Sequence, residues 1–266
     1  MTSIAPEVLA VLRGQVEIDD TGLRITGQLD PKMYGKVKKV LAGLGWKWHT
    51  GKQTHLPVTA SARDNLAAAV GAGTYVDPAK DESYYATPAQ LAQRVVDEAL
   101  GSFPDGSYVL EPSAGDGALV RAILLANPTF RVGAVEPNPD RVPRIPKGDR
   151  VTVFVGTFEE YAAAVGGSPT MRRPDAVVMN PPFNLPGRPT AWIRHLELAW
   201  DVLAPGGRLV CIAPVSFDQR QDRRHTALRQ WVTGLGGSVE TLPIDAFKES
   251  GTGVRTVLIT LDKPRA

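Results

Sequence analysis

From about residue 88 to the C-terminus the chain alternates short apolar runs with helically spaced ones. Apolar runs near 108–111, 130–135, 150–155, 175–179, 207–213, 238–242 and 254–261 read as strands, and the spacings near 88–100, 117–126, 158–164, 189–203 and 221–233 read as helices. Strands separated by helices predict an α/β fold with a mainly parallel sheet and right-handed crossovers. Val254-Arg-Thr-Val-Leu-Ile-Thr-Leu261 follows its predecessor without a helix, so the last strand is expected to run antiparallel. Pro137, Pro139, Pro143 and Pro146 crowd the segment after the second strand, where a helix must be short or broken.

Residues 1–75 carry a different pattern. Val16-Glu-Ile and Leu23-Arg-Ile alternate around Asp19-Asp-Thr-Gly22, a hairpin signal. Tyr34 to Leu44 has apolar residues at helical spacing with Lys36, Lys38 and Lys39 outward. Trp46-Lys-Trp-His and Thr54-His-Leu-Pro-Val form a second strand pair turning at Thr50-Gly51, and a helix is expected over Asn65–Val70. We read this as a small basic α+β module. Interleaved aromatic and basic residues suit nucleic acid, although Trp46 and Trp48 also suit a small core. Gly71 to Ser83 reads as the linker to the second domain, residues 76–266.

The chemistry concentrates where strands end. Asp175-Ala-Val-Val-Met179 stops in Asn180-Pro181-Pro182-Phe183. The Asn180 amide oxygen can accept a hydrogen bond from an NH2 group, and the Pro181 carbonyl can accept a second. Two acceptors on one amino group draw its lone pair out of conjugation and make the nitrogen nucleophilic. Phe183 can stack on the attached base, a contact worth roughly 1–3 kcal/mol. A proline-rich turn is the structural alternative. Upstream, Tyr108-Val-Leu-Glu-Pro-Ser-Ala-Gly-Asp-Gly-Ala118 reads as strand, glycine loop and helix start. Gly115 and Gly117 allow close backbone approach to a ligand. The dinucleotide fingerprint requires a third small residue three positions on, where this chain has Val120. Glu136, at the tip of the next strand, is placed to accept ribose hydroxyls, or else is a solvated loop carboxylate.

Taken in order, Glu-Pro-Ser-Ala-Gly-Asp-Gly (111–117), Val-Glu-Pro-Asn (135–138) and Asn-Pro-Pro-Phe (180–183) resemble the S-adenosylmethionine-dependent amino-methyltransferases, and most nearly the N6-adenine DNA methyltransferases of the gamma arrangement. Tyr85-Ala-Thr-Pro-Ala-Gln-Leu-Ala92 resembles the motif preceding their glycine loop. The resemblance spans about residue 84 onward. It implies a Rossmann-like, seven-stranded, mostly parallel sheet with an antiparallel last strand. It also implies an S-adenosyl-L-methionine cradle of Tyr85, Thr87, Pro88, Glu111, Ser113, Ala114, Gly115, Gly117, Glu136, Pro137, Thr157, Phe158 and Asn180. Asn180, Pro181, Pro182 and Phe183 would be catalytic. Phe247 resembles a second aromatic that supports a base flipped out of double-stranded DNA, with Lys248 beside it; a loop hydrophobe is the plain alternative. Many members carry an aspartate where this chain has Thr157, which leaves only a hydroxyl for the cofactor's adenine amino group.

Composition narrows the setting. The 266 residues carry a formal charge of +2, too little by itself to argue for nucleic acid. Lys32, Lys36, Lys38, Lys39, Lys47, Lys52 and Arg63, however, face only Asp30 before Asp64. Arg220, Arg223, Arg224, His225 and Arg229 lie in a predicted loop from Ser216 to Arg229, opening toward the strand ends, where phosphate contacts are expected. Cys211 is the only cysteine, so no internal disulfide or cysteine zinc cluster is expected, nor any metal site. No apolar stretch reaches membrane-spanning length, and a cytoplasmic enzyme is expected. Restriction-type relatives append a target-recognition domain; a bacterial-virus or mobile-element orphan enzyme fits a chain ending at Ala266. RNA adenine or a protein glutamine amide would satisfy the same amine clamp. An inactive DNA-binding accessory protein is the reading from another class.

Overall fold

The computed structural model describes residues 2–58, 61–75, 86–101, 103–250 and 254–265, apart from the side chain of Glu249. The chain divides into two compact units, Met1–Tyr84 and Tyr85–Ala266.

The first unit contains β1 (Thr2–Ser3), α1 (Pro6–Gly14), β2 (Val16–Asp19), β3 (Gly22–Ile25), α2 (Pro31–Gly43), β4 (Trp46–His49), β5 (Thr54–Pro57), α3 (Ala62–Ala72) and β6 (Thr74–Tyr75). Asp30 caps α2 by accepting from the Lys32 and Met33 N–H groups at 2.9 Å, with Pro31 in the first turn. An antiparallel sheet in the order β2-β3-β5-β4 packs with the helices around Val37, Leu41, Leu23 and Trp46. Trp46 is a core residue; its indole donates to the Ala62 carbonyl at 3.1 Å. The linker expected from Gly71 starts later. Gly71 and Ala72 finish α3, Gly73 closes it at φ 68°, and Thr74–Tyr75 pair with Thr2–Ser3. Helix α1 escaped the sequence reading, although Val8, Val11 and Leu12 form its buried stripe.

The second unit contains α4 (Ala89–Leu100), β7 (Tyr108–Glu111), α5 (Ala118–Ala126), β8 (Arg131–Glu136), β9 (Val151–Val155), α6 (Phe158–Gly167), β10 (Ala176–Met179), α7 (Ala191–Val202), β11 (Arg208–Pro214), α8 (Ser216–Gln219), α9 (Arg223–Gly234), β12 (Ser238–Thr241) and β13 (Thr256–Asp262). These strands form one seven-stranded sheet in the order β12-β13-β11-β10-β7-β8-β9. The pairs among β11, β10, β7, β8 and β9 are parallel, and β13 runs antiparallel to both β11 and β12. The last strand is therefore antiparallel, as its missing crossover helix predicted. Every residue of β10 is buried, and Cys211 is enclosed in β11 as core. Between β8 and β9 the prolines leave only a single 3₁₀ turn, Val142–Arg144. None of the described helices is long and apolar enough to cross a membrane.

Candidate active site

Parallel pairing sets four polar positions along one rim of the second unit. The strand order β10-β7-β8-β9 places Asn180, Glu111, Glu136 and Thr157 in succession at carboxyl ends. Open α/β sheets bind ligands at these ends, where strands stop and loops begin.

The glycine loop is held from both sides. The Ala114 N–H donates to the Val135 carbonyl at 2.9 Å, and the Gly115 N–H donates to Glu136 Oε2 at 2.7 Å. Glu136 Oε1 accepts from the Asn138 N–H at 2.9 Å. The expected ribose acceptor is thus already a loop anchor. Gly117 sits at φ 80°, and a Cβ there would lie 2.8 Å from Pro146 Cδ and 3.0 Å from Ile145 Cα. No larger residue fits this turn.

Glu111 behaves unlike an ordinary carboxylate. It is buried, and Oε1 accepts from the Ser113 N–H at 2.9 Å, while Oε2 has no hydrogen-bond partner. Burial pushes its pKa up to about 8, opposed by the Ser113 N–H and aided by the nearby Glu136 charge. At neutral pH it is mostly protonated, so a buried hydroxyl at Glu111 can act as a donor.

The clamp residues meet the preceding motif. Asn180 Nδ2 donates to Thr87 Oγ1 at 3.1 Å, which turns the amide oxygen away from Thr87. Ser250 Oγ donates to the neighbouring Ala86 carbonyl at 2.5 Å, bringing the segment after Phe247 to the same place. Pro88 opens α4, and Tyr85 lies outside the described residues.

Several predicted contacts are placed differently. Phe183 is 6% exposed and Phe247 1%, both packed in the hydrophobic core, so neither ring stands open to a base. Phe158, 2% exposed, packs edge-on to His195 instead of lining an open face. Thr157 caps α6: its hydroxyl accepts from the Glu160 N–H and donates to Glu160 Oε2 at 2.9 Å. That capping box uses the hydroxyl's only proton and leaves one lone pair to accept from an amino group. Pro137 is exposed at the strand tip.

The basic segment opens with the short helix α8 where a loop was expected, and from Arg223 onward it is α9, the helix expected over 221–233. Asp222 caps α9 and binds Arg220 Nε at 2.9 Å. Arg224 donates to Thr190 Oγ1 at 3.1 Å; Arg223 and Lys248 are exposed. Arg229 is structural, donating to the Phe217 and Arg220 carbonyls. His225 is buried, its Nδ1 on Asp222, because the helix turns it inward.

Sequence reasoning missed Glu159. Arg188, in the segment after the clamp, reaches it at 2.5 Å, and the buried His195 Nε2 lies 3.7 Å away. His195 and Arg188 together hold the Glu159 carboxyl down to about 2. At 3.7 Å the imidazole is beyond hydrogen-bond range, so Arg188 is the closer partner. The only available signal was an acid two residues past Thr157.

Comparison with known proteins places the fold. No family model and no curated protein matches the sequence. Among solved structures, the methyltransferase subunit of a type I restriction-modification system from Streptococcus thermophilus aligns with a TM-score of 0.56 and 17% identity, covering 100% of this chain and 67% of that one. A Listeria monocytogenes protein assigned as a class I S-adenosylmethionine-dependent methyltransferase aligns at 0.51 and 14%, covering 98% and 88%. The fold is that of the class I S-adenosylmethionine-dependent methyltransferases. TrmN from Thermus thermophilus aligns at 0.47 and 19% over 66% of this chain, which spans 48% of that structure.

Proposed function

We propose that this chain transfers a methyl group from S-adenosyl-L-methionine to the N6 amino group of adenine in DNA. The observation that carries the reading is the Asn180–Thr87 hydrogen bond, which holds a polar amide on the same rim as Glu111 and Glu136.

The rim chemistry fits the cofactor. Glu136 stands at the strand tip where ribose hydroxyls would lie, and the neutral Glu111 carboxyl offers a buried donor beside a loop that has no room for a Cβ at Gly117. S-adenosylmethionine, when bound, supplies a methyl group on a sulfonium whose thioether is a good leaving group. Asn180 Oδ1 and the Pro181 carbonyl accept from the two N–H bonds of the target amine and leave its lone pair directed outward. As the new N–C bond forms, the S–C bond breaks, and the extra proton on nitrogen passes to solvent. Holding the reactants in line contributes up to roughly 7–11 kcal/mol toward lowering the barrier. No covalent enzyme intermediate is required.

A target adenine in duplex DNA must leave the stack, at a cost of a few kcal/mol. Phe183 offsets that cost only if its ring turns out of the core when the base enters. Arg220, Arg223, Arg224 and Lys248 are assigned to the phosphate backbone, consistent with their exposure. The restriction-modification neighbour agrees with a DNA substrate.

Methyl incorporation from labelled cofactor, measured separately in DNA, RNA and protein fractions, tests the substrate. Label confined to DNA supports the reading; label in RNA or protein moves the same chemistry to another amine. Cofactor binding without incorporation in any fraction would favour an accessory protein.

A further inference from the structure

The first unit carries a polarised surface that the methyl-transfer site does not use. Its sheet order places β2 and β4 at opposite edges. Glu17, Asp19 and Asp20 lie in β2 and its turn, whereas Lys47, His49 and Lys52 lie in β4 and its turn. Helix α2, which packs against β4, adds Lys32, Lys36, Lys38 and Lys39 to the basic side. Of these, Lys36 is paired with Glu7 at 2.8 Å, and the one acid of the stretch, Asp30, is occupied capping the helix. Among the described residues, Lys32, Lys38, Lys39, Lys47 and Lys52 have no acidic partner.

Aromatic rings sit within this basic side. Trp48 and His55 are direct cross-strand partners, with ring centroids 5.0 Å apart and edge-on. Tyr34, one turn before Lys38 on α2, lies 6.5 Å from the same imidazole. Trp48 and Tyr34 are half-buried. His55 beneath them is 1% exposed, and neither ring nitrogen makes a hydrogen bond. The Leu23 carbonyl next to it accepts from the Thr54 hydroxyl at 2.9 Å. A buried imidazole with both nitrogens unmade departs from the rule that enclosed polar groups are paired.

We propose that this face is a binding site for unpaired nucleic acid. Bases stack on Trp48 and Tyr34, and phosphates lie along Lys38, Lys39 and Lys52. A duplex hides its base faces and cannot use the rings. An acidic peptide would neutralise the lysines but leave the rings without a counterpart. Sequence-tolerant single-strand binding combines these two parts, a cationic track and aromatic platforms.

The test uses the full chain carrying Arg220→Ala, Arg223→Ala and Arg224→Ala, so that the other basic segment does not contribute. Fluorescence anisotropy is read with a thymine-only DNA strand, a uracil-only RNA strand and a thymine–adenine duplex. Thymine and uracil have no exocyclic amine, so in the single strands the Asn180 clamp has nothing to hold; the duplex, which contains adenine, is compared with them in the Asn180→Ala protein. Single strands are expected to bind more tightly than the duplex, and the two strands tell DNA from RNA. Trp48→Ala should weaken single-strand binding by about 5- to 150-fold. Lys38→Ala with Lys39→Ala, which removes only exposed groups, should lower the slope of log affinity against log salt by about 1.4. Asn180→Ala should bind these strands as its parent does. Tighter binding to the duplex, unchanged affinity and slope in the lysine variant, or loss of binding in Asn180→Ala would each overturn the proposal. None of these outcomes bears on methyl transfer, which the incorporation assay reads separately.

Discussion

Asn180 and Thr87, 93 residues apart in the chain, meet through a 3.1 Å hydrogen bond in which the amide nitrogen donates to the hydroxyl. The bond decides which end of the amide faces Thr87, and therefore where its oxygen points. Thr87→Val keeps the shape and removes the acceptor. We predict a kcat reduced by about 10- to 100-fold, since small misplacements of a catalytic group can cost that much. Cofactor affinity should change by less than about threefold, and Thr87→Ser should restore most of the rate. Steady-state kinetics with separate cofactor titration checks this.

The exposed arginines differ in what holds them. Arg220 leans on Asp222 and Arg224 on Thr190, while Arg223 is simply exposed. Replacing all three with alanine should weaken binding to adenine-containing duplex DNA and reduce its salt slope by up to about 2.7, near 0.9 per lost phosphate contact. Cofactor binding should not move. Arg229→Ala should instead lower the melting temperature, because its guanidinium joins the Phe217 and Arg220 carbonyls.

Glu111 makes stability depend on pH. Its pKa is raised to about 8 in the folded chain by burial first, against an ordinary value of 4.5. Between these values the unfolded chain has lost the proton that the folded chain retains. Stability from this residue is therefore full below about 4.5 and declines as pH climbs to 8. Glu111→Gln, neutral throughout, should show a flatter melting temperature over that interval. Parallel curves for the two proteins from pH 5 to 8 would contradict the assignment.

Thr157 has a structural task that its position alone did not disclose. Its capping box with Glu160 opens α6. Thr157→Ala should cost about 1 kcal/mol of stability by denaturant unfolding. A loss of cofactor affinity beyond that of other cap variants would show that the remaining lone pair also serves the adenine amino group.

The sheet was legible because its signals are local and redundant. Each strand is a short apolar run, and the absence of a helix before Val254 foretold the antiparallel β13. The rim positions of Glu111, Glu136, Thr157 and Asn180 followed from strand ends alone. Side-chain orientation was not legible. Phe183, Phe247 and Phe158 carry the residue type expected of ring-stacking contacts, yet core packing claims them. His225 reads as part of a charged run and is turned inward by helix α9, a helix the spacing over 221–233 foretold without showing which way its histidine faces. The Arg188–Glu159 pair joins residues 29 apart whose proximity depends on tertiary packing.

The central claim is that Asn180 prepares an adenine amino group for methylation. Adenine-containing DNA incubated with cofactor and either wild type or Asn180→Ala can be digested to nucleosides and its N6-methyladenine quantified. We expect N6-methyladenine from wild type and a loss of at least about 100-fold in the variant, with cofactor binding retained. An Asn180→Ala protein that methylates adenine as fast as wild type would contradict the claim.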